Sequence, residues 1–245
     1  VLWRTTSLNP KSVSQAHLVA DHLGVSAAVP AKRRSVVCTA IERAGCVLSK
    51  RVLVTGCGPS NSLLIGGLWR VGAAHIATAA LSNLALDCKR RVGADETIKL
   101  RRQRDGLDPH TKDKGRFDAV FDACGSEAAL RTGLNVITPR GTLATVDLRG
   151  CVALPMKQIV AQEIELRGSL RFDPRFATAA QFPIQSLIGG TAAITLVVPL
   201  KDALSAFDLA ADEGQSLKEQ IALTDACTKD VSRGSAAAGP AQAGV

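Results

Sequence analysis

Chemistry in this chain is concentrated in residues 50–61, Lys50-Arg51-Val52-Leu53-Val54-Thr55-Gly56-Cys57-Gly58-Pro59-Ser60-Asn61. An apolar β-type run enters a turn with two glycines and leaves it as a helix. Backbone N–H groups and the positive end of a helix dipole then converge on one spot, an arrangement that receives phosphate. With a strand before the turn and a helix behind it, the expected ligand is the diphosphate of a dinucleotide. Gly56 and Gly58 form the turn, and Pro59, Ser60 and Asn61 open the helix. The fingerprint is incomplete, because Asn61 stands where a third glycine would let helix and sheet pack closely. Its side chain can be read as a helix N-cap or as an intrusion into the space of the diphosphate.

A second position bears on the same ligand. About 20 residues past such a turn, at the end of the next strand, an Asp or Glu ordinarily accepts hydrogen bonds from the adenosine ribose. Here the position falls on Ala80. NAD would lose a charge-assisted hydrogen bond worth about 1.5–3 kcal/mol, roughly ten- to a hundredfold in affinity. A small residue there also removes repulsion of a 2′-phosphate, so NADP is the alternative. No arginine follows Ala80 closely, and Lys89-Arg90-Arg91 read as a solvated helix face.

Other reactive residue types give weaker signals. The seven cysteines contain no C-x-x-C pair, and their odd number argues against a disulfide scaffold and for a reducing cytoplasm. Cys57 reads as a small filler, since no histidine lies nearby in sequence to act as its base. His17, His22, His75 and His110 show no metal-ligand spacing with cysteine or glutamate.

The elements that must position the turn alternate in type. A helix is expected over Ser35–Ala44, a strand over Arg51–Thr55, and a helix with Leu63, Leu64, Leu68 and Val71 on its buried face. Gly66 and Gly67 weaken that helix by about 1 kcal/mol each relative to Ala. Strands at His75–Ala79, Glu96–Ile98, Phe117–Phe121, Gly141–Val146 and Ile164–Leu166 follow, with a helix capped by Ser82 or Asn83 and another opened by Ser126-Glu127. This rhythm predicts an α/β fold, a doubly wound parallel Rossmann sheet with helices on both faces. Beyond it, a helical segment near 175–187, a strand at Ile194–Val198 and a helix after Asp202 are expected. The resulting division is 1–34 irregular, 35–172 dinucleotide-binding, 173–224 a return segment toward a neighbouring layer, and 225–245 an Ala/Gly-rich disordered tail.

Composition excludes several classes. The net charge of +8 is spread over Lys32-Arg33-Arg34, Lys89-Arg90-Arg91 and Lys99-Leu100-Arg101-Arg102, runs that read as solvated faces. With only 3% aromatic residues to stack bases, no nucleic-acid partner is expected. No apolar run approaches the ~20 residues that cross a bilayer, and no secretory leader is evident. The expected setting is cytoplasmic, with no membrane partner.

Three runs in order carry a family resemblance: Arg51-Val52-Leu53-Val54-Thr55-Gly56-Cys57-Gly58-Pro59, Arg91-Val92-Gly93-Ala94-Asp95-Glu96-Thr97-Ile98, and Phe117-Asp118-Ala119-Val120-Phe121-Asp122-Ala123-Cys124-Gly125-Ser126-Glu127. Pro139-Arg140-Gly141-Thr142, Glu163 through Ser169 and Val198-Pro199-Leu200-Lys201-Asp202-Ala203 extend it. Together they resemble the coenzyme domain of the medium-chain, zinc-type alcohol and polyol dehydrogenases, the L-idonate 5-dehydrogenase branch in particular. The resemblance spans about residues 35–223. It implies hydride transfer between a secondary alcohol, a small polyol or sugar acid, and a nicotinamide dinucleotide, with remnants of a catalytic domain at both ends and association into homo-oligomers. It also implies that Ala123, Cys124 and Gly125 together with Gly168 and Ser169 flank the nicotinamide, where close backbone approach favours small residues.

The sequence departs from this family at the metal. Zinc is expected for the family, and a catalytic zinc needs three protein ligands and an open position. No Gly-His-Glu stretch occurs, and the family's Ala-Glu-Pro segment falls on Ala31-Lys32-Arg33, an ammonium in place of a ligand. The four-cysteine structural lobe has no counterpart either. No catalytic or metal residue is nominated. The expectation is a truncated dehydrogenase without turnover or, alternatively, a catalytically silent nucleotide-binding or oligomerisation module.

Overall fold

The computed structural model describes residues 2–3, 17–18, 31–100, 107–147, 150–170, 196–210 and 219–222. Short strands β1 (Leu2–Trp3) and β2 (His17–Leu18) pair in parallel. Helix α1 (Ala31–Ala44) begins four residues before the expected start at Ser35. Then β3 (Arg51–Thr55), α2 (Pro59–Arg70), β4 (His75–Ala80), α3 (Asn83–Arg91) and β5 (Glu96–Lys99) alternate. The second half repeats the pattern with β6 (Phe117–Asp122), α4 (Glu127–Val136), β7 (Ile137–Thr145), α5 (Met156–Ala161) and β8 (Glu165–Gly168). Strands β9 (Leu196–Pro199) and β10 (Glu219–Ala222) pair in parallel on either side of α6 (Ala203–Ala210). The helical segment expected near 175–187 and the tail after 225 lie outside the described residues.

The six strands β3–β8 form one all-parallel sheet in the order β5-β4-β3-β6-β7-β8. Parallel neighbours require crossovers, and the crossovers bury both faces, so the strands read as near-continuous apolar runs. Alternate side chains still divide between two cores. Val52, Val54 and Phe121 join Val37, Ile41, Leu64 and Leu68 on the α1/α2 side. Leu53 and Val120 join Leu130, Leu134 and Ile159 on the α4/α5 side.

Gly67 resolves the oddity of glycine inside α2. A Cβ there would stand 2.7 Å from Ile41 Cδ1 and 3.5 Å from Val37 Cγ1, so its absence is what allows α1 and α2 to meet. The propensity cost of the glycine is offset by this closer packing. Helix α4 opens as read: the Ser126 hydroxyl accepts from the Ala129 N–H at 3.2 Å. Ser82 is the N-cap of α3 by position, but its side chain makes no cap hydrogen bond. Helix α5 was not read from the sequence, because six residues present too little of a helical period.

Two of the basic runs are not solvated faces throughout. Arg34 is 6% exposed and Lys89 only 1%. Burial pulls the Arg33 and Arg34 guanidinium groups below the usual arginine range. Successive helical residues are about 100° apart, so a triplet of like charges spreads over much of the helix circumference, and here one member of each turns inward.

Candidate functional site

The strand order reverses between β3 and β6: from β3 the chain builds outward to β4 and β5, then returns to start β6 on the other flank. Ligands of open parallel sheets lie outside the carboxyl ends at this point. The register lines up the row Ala79, Thr55, Asp122, Thr145 and Gly168 across five strands. One residue further on, the backbone ladder continues: Gly56 N–H donates to Ala79 O, Ala123 N–H to Thr55 O, Val146 N–H to Asp122 O and Ser169 N–H to Thr145 O, at 2.8–3.2 Å. Gly56, Ala80, Ala123 and Ser169 thus share one edge although more than a hundred residues separate the first from the last. Cys124 and Gly125 follow directly from β6, and Gly168 closes β8.

The glycine turn is shaped by Asn61. Gly56 has φ +121°, and a Cβ on it would come within 2.7 Å of Asn61 Nδ2 and 3.0 Å of the Ala123 carbonyl. Asn61 is fully buried, and its Nδ2 donates to the Thr55 carbonyl at 2.8 Å. Oδ1 finds no protein partner. The expected roles of this side chain are therefore corrected. Gly58 is the N-cap of α2, without a side-chain cap bond, and Asn61 turns inward under the turn rather than outward into the crevice. It uses the room that the absence of a Gly56 Cβ leaves.

The outer side of the turn is open. A Cβ on Gly58 would meet nothing within 4 Å. Pro59 at the first helical position has no N–H to offer, and Asn61 N–H is committed to the Gly58 carbonyl at 3.2 Å. The Gly58 and Ser60 amides stand at the helix opening, and the first turn of α2 contains no acidic residue. An anion meets partial positive charge there and no repulsion.

Asp122 anchors the neighbouring turn. It is fully buried, accepts from the Thr55 hydroxyl at 2.8 Å, and accepts from the Gly125 and Cys124 N–H groups at 2.9 and 3.3 Å. Burial pushes its carboxyl above the usual carboxylate range, with the charge of Asp147 acting the same way, while these hydrogen bonds pull it back. The carboxylate thereby locks Cys124 and Gly125 against the end of β3. Sequence reading placed Asp122 in a motif but gave it no role, since only the pairing of β3 with β6 brings Thr55 to it.

Ala80 ends β4 with 1% exposure and packs with Ala85 and Leu86, joined by Cys57 from the turn. Cys57 is thus partly buried filler, as its residue type suggested. Lys89 reaches the same corner from the last turn of α3, and its ammonium donates to the Gly56 carbonyl. Desolvation lowers its pKa to about 8, against the opposing influence of Cys57 and Cys88. Helical side chains tilt toward the N-terminus, which carries this long stem back up to the carboxyl edge of the sheet.

Two of the four histidines, His75 and His110, have a structural explanation that sequence spacing did not reveal. Glu96 accepts or shares hydrogen bonds with His75 at 3.1 Å and His110 at 3.0 Å, and His110 lies 5.1 Å from the Phe117 ring. Among the described residues no group of three or more His, Cys, Asp or Glu side chains could hold a metal ion. These residues do not fit a zinc site. No helix among them is long and apolar enough to cross a membrane.

Residues 62–184 match the family model described as zinc-binding dehydrogenase. The chain is 32% identical over 188 residues to L-idonate 5-dehydrogenase (NAD(P)(+)) of Escherichia coli strain K12, covering 76% of this chain and 54% of that protein. It is 27% identical to sorbitol dehydrogenase of Bombyx mori, covering 79% and 57%. The crystal structure of the Escherichia coli L-idonate 5-dehydrogenase superposes with a TM-score of 0.77 at 30% identity, over 84% of this chain and 59% of that one. The chain spans little more than half the length of the curated relatives it matches.

Proposed function

Because this chain belongs to the zinc-binding dehydrogenase family, we propose that its carboxyl-edge crevice holds a nicotinamide dinucleotide for hydride exchange with a secondary alcohol of the polyol or sugar-acid class, L-idonate being the first candidate. The observation that carries this reading is the shared edge of Gly56, Ala80, Ala123 and Ser169 at the point where strand order reverses.

The residues fit the dinucleotide on chemical grounds. Gly58 leaves space in front of the turn, and its amide with that of Ser60 and the α2 dipole balances the diphosphate charge. Pro59 fixes the helix start, and Asn61 stiffens the turn from beneath through Thr55. Ala80 borders the adenosine ribose. Ala123, Cys124 and Gly125, held by Asp122, and Gly168 with Ser169 border the nicotinamide ring. The buried Ser169 hydroxyl lacks a protein partner and can donate to the carboxamide of that ring. The bound nicotinamide supplies the hydride acceptor, and these residues orient it and exclude water from one face.

A second reading, a silent nucleotide-binding or pairing module, is favoured by one observation: the described residues bring together no group of three or more His, Cys, Asp or Glu side chains that could hold a metal ion. Fluorescence titration with NADH, zinc analysis, and turnover of L-idonate with NAD or NADP separate the two. Binding with turnover supports the dehydrogenase. Binding without turnover at any zinc content supports the module. Absence of NADH and NADPH binding at millimolar concentration refutes the dehydrogenase and the nucleotide-binding module and leaves only pairing, which sedimentation of the chain tests.

A further inference from the structure

We propose that Cys57 is a modification site: its thiol exchanges with a small-molecule disulfide, and the mixed disulfide so formed obstructs the glycine turn against a dinucleotide. The effect on binding rests on the dinucleotide reading above, whereas the exchange stands on the thiol and its neighbours alone.

Two thiols and one ammonium meet behind the turn. Cys57 lies between Gly56 and Gly58 and stays partly exposed, with Ala80, Ala85 and Leu86 packed on one side of it. The Lys89 ammonium, 1% exposed, donates to the carbonyl of Gly56, the residue just before this cysteine. An ammonium carries three donors, and the groups that act on this one are the thiols of Cys57 and Cys88, with no carboxylate among them. Cys88 is buried and touches the Ser62 hydroxyl at 3.7 Å. Cys57 is therefore the member of the pair that a solute can reach.

A buried cation without a counter-charge is costly, and a thiolate on Cys57 supplies that counter-charge. Lys89 acts from beneath the turn and requires no access of its own. The thiolate is the nucleophile in disulfide exchange, and a neighbouring cation favours it. Cys57 read as inert because no base lies near it in sequence; the fold brings it a cation from α3 instead. In the exchange the Cys57 sulfur attacks one sulfur of the disulfide, a new S–S bond forms and the old one breaks. The protein sulfur is oxidised, the departing sulfur is reduced and leaves as a thiolate, and the proton of Cys57 passes to solvent. The adduct is then attached next to Gly58, whose outer side is open, and beside the amides at the opening of α2.

The test treats the chain with glutathione disulfide near neutral pH and follows the adduct at each cysteine by peptide mass spectrometry. Cys46 and Cys151, both exposed, serve as internal references. Cys57 should react about tenfold faster than either although it is less exposed, and Lys89→Met should slow Cys57 about tenfold without changing the references. Equal rates at the three sites, or a Cys57 rate indifferent to Lys89→Met, overturns the proposal. Should that variant not fold, the wild type in urea replaces it: unfolding separates thiol and ammonium, so the Cys57 advantage should vanish, and its persistence overturns the assignment. The adduct should weaken NADH binding at least about tenfold, a dithiol reductant should restore it, and the same treatment should leave the affinity of Cys57→Ala where it was. Unaltered NADH binding by the modified wild type overturns the obstruction. Failure of the untreated chain to bind NADH instead refutes the dinucleotide reading, and the rate comparison still decides the thiol.

Discussion

Replacing Lys89 by Met should change how stability depends on pH, in a direction set by its burial. In the unfolded chain the amine titrates near its ordinary value of 10.5, and in the folded protein desolvation brings it to about 8. Between those values the unfolded chain holds the extra proton, so stability rises with pH across the window and the full burden is felt below pH 8. A difference of about 2.5 pH units corresponds to about 3 kcal/mol. Urea unfolding of wild type and variant at pH 7.5, 9 and 10.5, each with Cys57 and Cys88 replaced by Ala because those thiols act on Lys89, isolates this contribution, since the other lysines are present in both proteins and cancel. The wild type should gain about 3 kcal/mol on the variant over that interval. At pH 7.5 the Met variant should be the more stable, less the hydrogen bond lost to the Gly56 carbonyl. A difference that stays within about 0.5 kcal/mol across the interval would refute the reasoning.

Two further perturbations probe the turn. Gly56→Ala would force a Cβ to within 2.7 Å of Asn61 Nδ2 at φ +121°, and a loss of about 2–4 kcal/mol together with NADH binding is expected. Thermal unfolding followed by circular dichroism measures the first, and an unchanged midpoint would show that the turn is not so constrained. Asp122→Asn should cost about 1–3 kcal/mol at pH 7 by disturbing the Gly125 and Cys124 amide bonds. Since burial raises the folded-state value of Asp122 above its unfolded one, its contribution is complete below the ordinary aspartate range and shrinks as pH rises through the folded-state value. The wild-type advantage over the Asn variant should therefore narrow from acid toward neutral pH, and widening would contradict the assignment.

The sheet was legible because its physics is local. Val52-Leu53-Val54 and Ala119-Val120-Phe121 are apolar on both faces, and the helices between them carry a one-sided stripe, so the alternation of types leaves a parallel sheet as the consistent solution. Glycine punctuation placed the turn at Gly56 and Gly58 for the same reason. Boundaries moved by a few residues. Helix α1 starts at Ala31, and β7 extends back to Ile137 across a register irregularity against β6.

What the chain order could not convey is which side chain meets which across the carboxyl edge. Asn61 has the same residue type whether it caps a helix or buries its amide against Thr55, and the choice depends on the space left by Gly56. Asp122 becomes an anchor only when β6 lies beside β3. Lys89 belongs by composition to a solvated triplet, and only the seating of α3 against the glycine turn directs its ammonium to the Gly56 carbonyl. By itself the sequence determined the αβ alternation, the strand-to-helix turn and the small residue Ala80 at the end of β4, since these depend on residue type and short-range spacing. Tertiary structure decided the burial of Lys89, the inward turn of Asn61 and the role of Asp122, since each is a contact between distant segments whose cost or gain exists only once water has been excluded from between them.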